Sequence, residues 1–267
     1  MPTFALASGP AQARAFVFDK DGVLVDFGRY WGAMTMARLA GLREFLKMRQ
    51  GRSGDEIGAA AAWHEAEEPW QDLAASLGYP GGSVDPTGPL VLATRFESAA
   101  VASAFLYRRG LTWVEARDAV RQAFDQAEGR VGAGALAECP GAREVLRALH
   151  ERGWRIGVAT TDAAEHAWST LERLQLAPFV HALAGGDEVS RGKPHPDMLE
   201  LVCARLGVAA REAIVVGDGI NDLEMARSGR ARAAIGVLTG VSTRQELAPA
   251  ADLVLADLSR LLAACSP

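Results

Sequence analysis

The sequence predicts an α/β protein, with a three-layer core built on a parallel sheet and a helical unit inserted near its start. Three observations predict it. Short apolar runs recur at 155–160, 179–184, 213–217, 233–237 and 252–255, each the length of a buried strand. Helical patterns fall between them, and strands that alternate with helices imply right-handed crossovers and a parallel sheet. From 28 to 137, by contrast, the chain is rich in Ala, Trp, Glu and Arg and has almost no strand-like run.

The elements follow in order. Residues 14–19, Arg-Ala-Phe-Val-Phe-Asp, have the pattern of a buried strand that ends on a carboxylate. In the insert, Thr94-Arg95-Phe96-Glu97 is a capping box, because the hydroxyl and the carboxylate can each satisfy a backbone N–H that the helix leaves unpaired. The segment 78–89, dense in Gly, Pro and Asp, is the most loop-like stretch. After Pro140, the residues Ala142, Val145, Leu146 and Leu149 repeat at i, i+3, i+4 and i+7, and Gly153 can close that helix. A further helix spans 196–206, with Gly207 as its stop. The core is therefore expected at 1–27 and 138–267, and the helical insertion at 28–137.

Composition narrows the function classes. A 267-residue chain that is 49% hydrophobic can fill a sizeable interior, and a formal net charge of −5 advertises neither a nucleic-acid nor a membrane surface. Small molecules are the expected partners. Cys139, Cys203 and Cys265 show neither disulfide-framework nor zinc-knuckle spacing, and no signal peptide or 18-residue apolar run is evident. A cytoplasmic protein is expected.

The chemistry concentrates at strand ends. Asp19-Lys20-Asp21-Gly22 sets two carboxylates just past the first strand, and alone such a loop is often only a turn. Thr160, Lys193 in Gly-Lys-Pro, and Asp218 with Asp222 in Gly-Asp-Gly-Ile-Asn-Asp then follow or lie between later strands. In a parallel sheet the C-terminal strand ends share one edge, so these groups can meet around one pocket. Their chemistry is complementary: Asp19 and Asp218 suit Mg²⁺, Lys193 supplies a compact positive charge, Thr160 offers a hydroxyl, and Asp21 is left for proton transfer. Thr160 is preferred to Thr161 for its place at the strand end. Asp222 either orders Lys193 or a metal-bound water, or caps the next helix, and Asn221 carries the same capping alternative.

Four motifs in this order resemble the haloacid dehalogenase superfamily: 19–24, Val158-Ala159-Thr160, Gly192-Lys193-Pro194 and 217–222. The resemblance implies a Rossmann-like core with a helical cap after the first motif. It also implies an aspartyl-phosphate on Asp19, acid and base roles for Asp21, and Mg²⁺ held by Asp19, Asp218 and the backbone carbonyl of Asp21. Phosphoglycolate-phosphatase-like enzymes are the nearest subgroup in the look of motifs one and three. The expected activity is hydrolysis of a small phosphomonoester. A phosphoglucomutase-like phosphotransferase and a catalytically silent binding protein are the alternatives.

Bland roles are expected for the other conspicuous residues. His64, His150, His166, His181 and His195 lack metal-ligand spacing, and His195 reads as a solvent-facing turn residue. Trp31, Trp63, Trp70 and Trp113 read as helix-packing residues, and Arg52 and Arg95 as exposed helix arginines.

Overall fold

The computed structural model describes residues 3–6, 9–50, 62–85, 87–131 and 133–264. Strands β1 (Thr3–Leu6) and β2 (Gly9–Gln12) pair as an antiparallel hairpin. The hairpin is not legible in the sequence, because these segments lack a β-branched run. Six further strands form one wholly parallel sheet: β3 (Ala15–Phe18), β4 (Arg155–Ala159), β5 (Ala182–Ala184), β6 (Ala213–Gly217), β7 (Ala233–Val237) and β8 (Leu253–Leu255). Their order across the sheet is β5-β4-β3-β6-β7-β8, so β3 is central, with β4 on one side and β6 on the other.

Every residue of β3, β6 and β7 is buried, as a sheet covered on both faces requires. On one face Ala15, Val17 and Val215 join Met198, Leu199 and Val202 of α8 (Asp197–Leu206) and Leu223 of α9 (Ile220–Ser228) in one cluster. Alternate residues point the other way. There Phe16 packs edge-on against Trp154 with ring centroids 4.8 Å apart. Helix α6 (Ala142–Glu151) buries Ala142, Val145, Leu146 and Leu149, the four periodic positions, and lies against β4, which α7 (Ala164–Arg173) follows. Gly207, at φ 69°, ends α8 in the left-handed conformation that glycine adopts without strain.

The expected strand at 179–184 is shorter in the structure. Ala177–Phe179 forms a 3₁₀ turn containing Pro178, which has no N–H to give a ladder, and pairing starts when the His181 N–H donates to the Ile156 carbonyl.

The chain divides into two compact units, one comprising Met1–Phe27 with Leu136–Pro267 and the other Gly28–Ala135. Within the first, the Asp26 N–H donates to the Ala137 carbonyl and the Cys139 N–H to the Leu24 carbonyl, so the two chain crossings run side by side. The second unit is helical: α1 (Phe27–Gln50), α2 (Glu68–Ser76), α3 (Pro89–Leu92), α4 (Arg95–Tyr107) and α5 (Trp113–Arg130). Leu42, Trp70, Leu73, Leu106 and Phe124 form its core. Thr94 and Glu97 make the expected capping box at α4, and Thr112 with Glu115 makes another at α5.

Trp70 is buried, and its indole Nε1–H donates to the His64 carbonyl at 2.9 Å. Trp63 packs against Trp70 and Phe105, whereas Trp113 is half-exposed beside Tyr107. Arg95 pairs with Asp125 at 2.5 Å. Arg52 and Cys265 lie outside the described residues.

Candidate active site

The loop after β3 is built from its own backbone. The Asp19 N–H continues the sheet by donating to the Val216 carbonyl at 2.8 Å, and the Lys20 carbonyl then accepts from the N–H groups of Leu24 and Val25. Gly22 closes this turn at φ 78°. A Cβ there would lie 2.6 Å from Asp218 Oδ2, so two strand-end loops meet where only glycine fits.

Lys193 arrives from the loop before α8, with its side chain only 5% exposed. Its Nζ contacts Asp19 Oδ1 at 2.5 Å and Asp222 Oδ1 at 2.5 Å. Asp222 does two things at once, because its Oδ2 accepts from the Gly219 N–H at 3.0 Å and so caps α9. Both alternatives raised for it, ordering Lys193 and capping the helix, are present together. Asn221 is exposed on the first turn of that helix. Asp218 is buried at the end of β6, and its Oδ2 accepts from the Val241 N–H at 3.0 Å. Ligand oxygens of Asp19, Asp218 and Asp222 all lie within 4.8 Å of one another.

Thr160 is buried at the end of β4, and its Oγ1 accepts from the Asp162 N–H at 3.2 Å; Thr161 is exposed. The Asp21 carboxylate is engaged elsewhere than the trio, since its Oδ1 receives Lys20 Nζ at 2.7 Å. His195 is exposed, in keeping with a turn residue. His166 Nδ1 lies 2.7 Å from Asp162 Oδ2, and the His150 and His181 rings stack with centroids 5.1 Å apart.

Burial and charge crowding set the electrostatics. Burial, helped by Asp222 and Asp21 and opposed by Lys193, pushes the Asp19 carboxyl up to about 7. Burial and the charges of Asp19 and Asp222 push Asp218 well above the carboxylate range. Burial also raises Asp21, against the pull of Lys20. Burial works to lower the Lys193 ammonium, but the Asp19 and Asp222 charges outweigh it and the net shift is upward. Three carboxyl groups close to one lysine crowd acidic oxygens into a buried site. Hard oxygen donors at this spacing are the chemistry that a divalent cation such as Mg²⁺ accepts.

Two parts of this site have no counterpart among the sequence motifs. The first is the segment after β7: Thr239 Oγ1 donates to the Gly22 carbonyl at 2.5 Å, and a Cβ on Gly240 would fall 1.8 Å from Asp218 Oδ2. The strand expected at 233–237 was a signal for it, because whatever follows that strand reaches the same sheet edge. The second is the Lys20–Asp162 contact at 3.3 Å, for which no sequence spacing gives a cue.

A family model described as haloacid dehalogenase-like hydrolase matches residues 13–230. A curated relative, the phosphoglycolate phosphatase of Escherichia coli strain K12, is 34% identical over 109 residues. That match covers 41% of this chain, which spans 43% of the relative's length. Among solved structures, a phosphoglycolate phosphatase assigned by prediction from Haemophilus somnus 129PT superposes with a TM-score of 0.68. It is 18% identical, over 95% of this chain and 98% of that one. A provisionally assigned β-phosphoglucomutase from Thermotoga maritima gives 0.62 at 20% identity, over 94% and 97%. Likeness at these identities establishes the fold.

Proposed function

The chain belongs to the haloacid dehalogenase-like hydrolases, and from that premise we propose that it hydrolyses a small phosphomonoester through a covalent phosphate on Asp19. The observation that carries the reading is the placement of Lys193, in contact with Asp19 and Asp222 beside a third carboxylate, Asp218.

In the proposed reaction, a carboxylate oxygen of Asp19 attacks phosphorus and the ester P–O bond breaks. The departing alkoxide takes a proton from Asp21. A water molecule then attacks the phosphorus of the aspartyl-phosphate while giving a proton back to Asp21, and the bond to Asp19 breaks to release inorganic phosphate. Lys193 favours the ionised form of Asp19 against the effect of burial and steadies the phosphoryl oxygens, and Thr160 supplies a hydroxyl donor. Asp222 orients Lys193.

Asp19 and Asp218 would hold a Mg²⁺ ion, together with the Asp21 carbonyl that the family resemblance assigns. When bound, that ion supplies positive charge against the repulsion between carboxylates and phosphate. Both Asp222 oxygens are already engaged, by Lys193 and by Gly219, which suits it better to orienting than to direct ligation.

The substrate class proposed is phosphoglycolate or a sugar phosphate, and the partial likeness to a phosphoglycolate phosphatase supports the first of these. The helical unit, Gly28–Ala135, is the part proposed to act as a cap and to choose among such substrates. Two thiols without disulfide partners, Cys139 and Cys203, support a cytoplasmic setting. Among the described residues no helix is long and apolar enough to cross a membrane.

A panel of metabolite phosphates with Mg²⁺ tests the reading. Asp19→Asn should lose turnover entirely while keeping the native circular dichroism spectrum. Substantial phosphate release by that variant would overturn the nucleophile assignment, and an isomeric sugar phosphate as product would redirect the reading to phosphoryl transfer.

A further inference from the structure

Lys20, between the two aspartates of the first motif, is fully buried, and the proposed reaction gives it no part. A buried ammonium is costly unless it is paired, and this one is paired twice. Its Nζ lies 2.7 Å from Asp21 Oδ1 and 3.3 Å from Asp162 Oδ2.

Asp162 is itself held at three points. Its N–H donates to Thr160 Oγ1 at 3.2 Å, its carbonyl accepts from the Gly186 N–H at 2.8 Å, and its Oδ2 lies 2.7 Å from His166 Nδ1. The chain of contacts Asp21–Lys20–Asp162 therefore ties the loop after β3 to the loop after β4. Because Oδ1 of Asp21 is occupied by Lys20, the orientation of the second oxygen is fixed as well. A buried ion pair of this kind adds little net stability over an apolar side chain of similar volume, so its effect is sought in geometry.

We propose that Lys20, anchored by Asp162, is a positioning residue that holds the Asp21 carboxylate for proton transfer to the leaving group. The inference rests on the phosphatase reading and on Asp21 as its acid. It requires that leaving groups which need protonation suffer most when the anchor is removed.

The test compares kcat/KM for a series of substituted phenyl phosphates, from p-nitrophenyl to phenyl phosphate, with Mg²⁺. This ratio reports the steps up to release of the phenol, so breakdown of the aspartyl-phosphate does not mask the effect. Lys20→Met is expected to lose about tenfold more on phenyl phosphate than on p-nitrophenyl phosphate. Asp162→Asn, which keeps Lys20 but weakens its anchor, should steepen the dependence in the same direction by a smaller factor.

Equal losses across the series in both variants overturn the proposal, because a merely structural role lowers all substrates alike. Where circular dichroism shows that Lys20→Met does not fold, Asp162→Asn decides alone, and an unchanged leaving-group dependence there overturns it. A wild-type protein inactive on this series and on the metabolite phosphates overturns the phosphatase reading and this inference with it, and an Asp19→Asn variant as active as wild type overturns the nucleophile assignment on which the inference rests. Active wild type with flat variants overturns the inference only.

Discussion

At the scale of single residues, Asp19 sits in an environment at odds with its usual chemistry. Its carboxyl is pushed from an ordinary value of 3.8 to about 7, chiefly by burial. Between roughly those two values the unfolded chain has released a proton that the folded protein keeps, so stability falls as pH rises through that window. A divalent cation bound to the carboxylates acts in the opposite sense, because it stabilises the charged form. Thermal melts should therefore show Mg²⁺ raising Tm more at pH 8 than at pH 5; an equal shift at both would contradict the placement of the cation at Asp19. Gly240 gives a steric prediction. Gly240→Ala puts a methyl group where Asp218 Oδ2 lies, and should cost at least tenfold in activity with a stability loss of about 1–3 kcal/mol. Steady-state kinetics beside a urea melt would check both. Asp19, Asp21 and Asp218 were legible in the sequence because each stands at or just past a strand end, and Lys193 because it sits in a short Gly-Lys-Pro motif between two strands. Asp162 was not: its partner Lys20 lies far earlier in the chain, and only the fold brings them together.

At the scale of elements, legibility followed the local code. Helix α6 could be read because its four apolar positions share one face, and α4 because Thr94 and Glu97 cap it within four residues. The β1–β2 hairpin could not be read, since Gly-Pro-Ala-Gln carries no period-two pattern. What joins one element to the next is also nonlocal. Arg205 on α8 reaches back to Glu188 in the turn after β5, at 2.8 Å, and the Gly185 N–H donates to the same carboxylate at 3.0 Å. The hydrogen bonds from Arg205 and Gly185 hold the Glu188 carboxyl at about 2, below its usual 4.5. That stabilisation is complete above pH 4.5 and is lost as pH falls towards 2. Because Glu188 is partly exposed and screened, Glu188→Ala should cost only about 1 kcal/mol at neutral pH, and less at pH 3, in urea melts. A loss that does not shrink in acid would show that the pair does not carry the effect.

At the scale of the whole molecule, the parallel sheet explains why residues from 19 to 241 meet at one place. Strands β3, β4, β6 and β7 run the same way, and the segments leaving their ends carry Asp19, Thr160, Asp218 and the Thr239–Val241 stretch. Topology therefore does what no local motif can. It brings four segments to one edge, with Lys193 from a fifth closing on Asp19. The helical unit has its own core around Trp70 and Phe124, and its helical character was legible from the near absence of strand-like runs between 28 and 137. The central claim, a covalent phosphate on Asp19, is tested most directly by chemical trapping. Protein mixed with a turned-over phosphate ester and Mg²⁺, quenched within the first turnover and reduced with borohydride, should yield a peptide carrying homoserine in place of Asp19. An unmodified Asp19 in a protein that is releasing phosphate, or the reduced residue at another carboxylate, would contradict it.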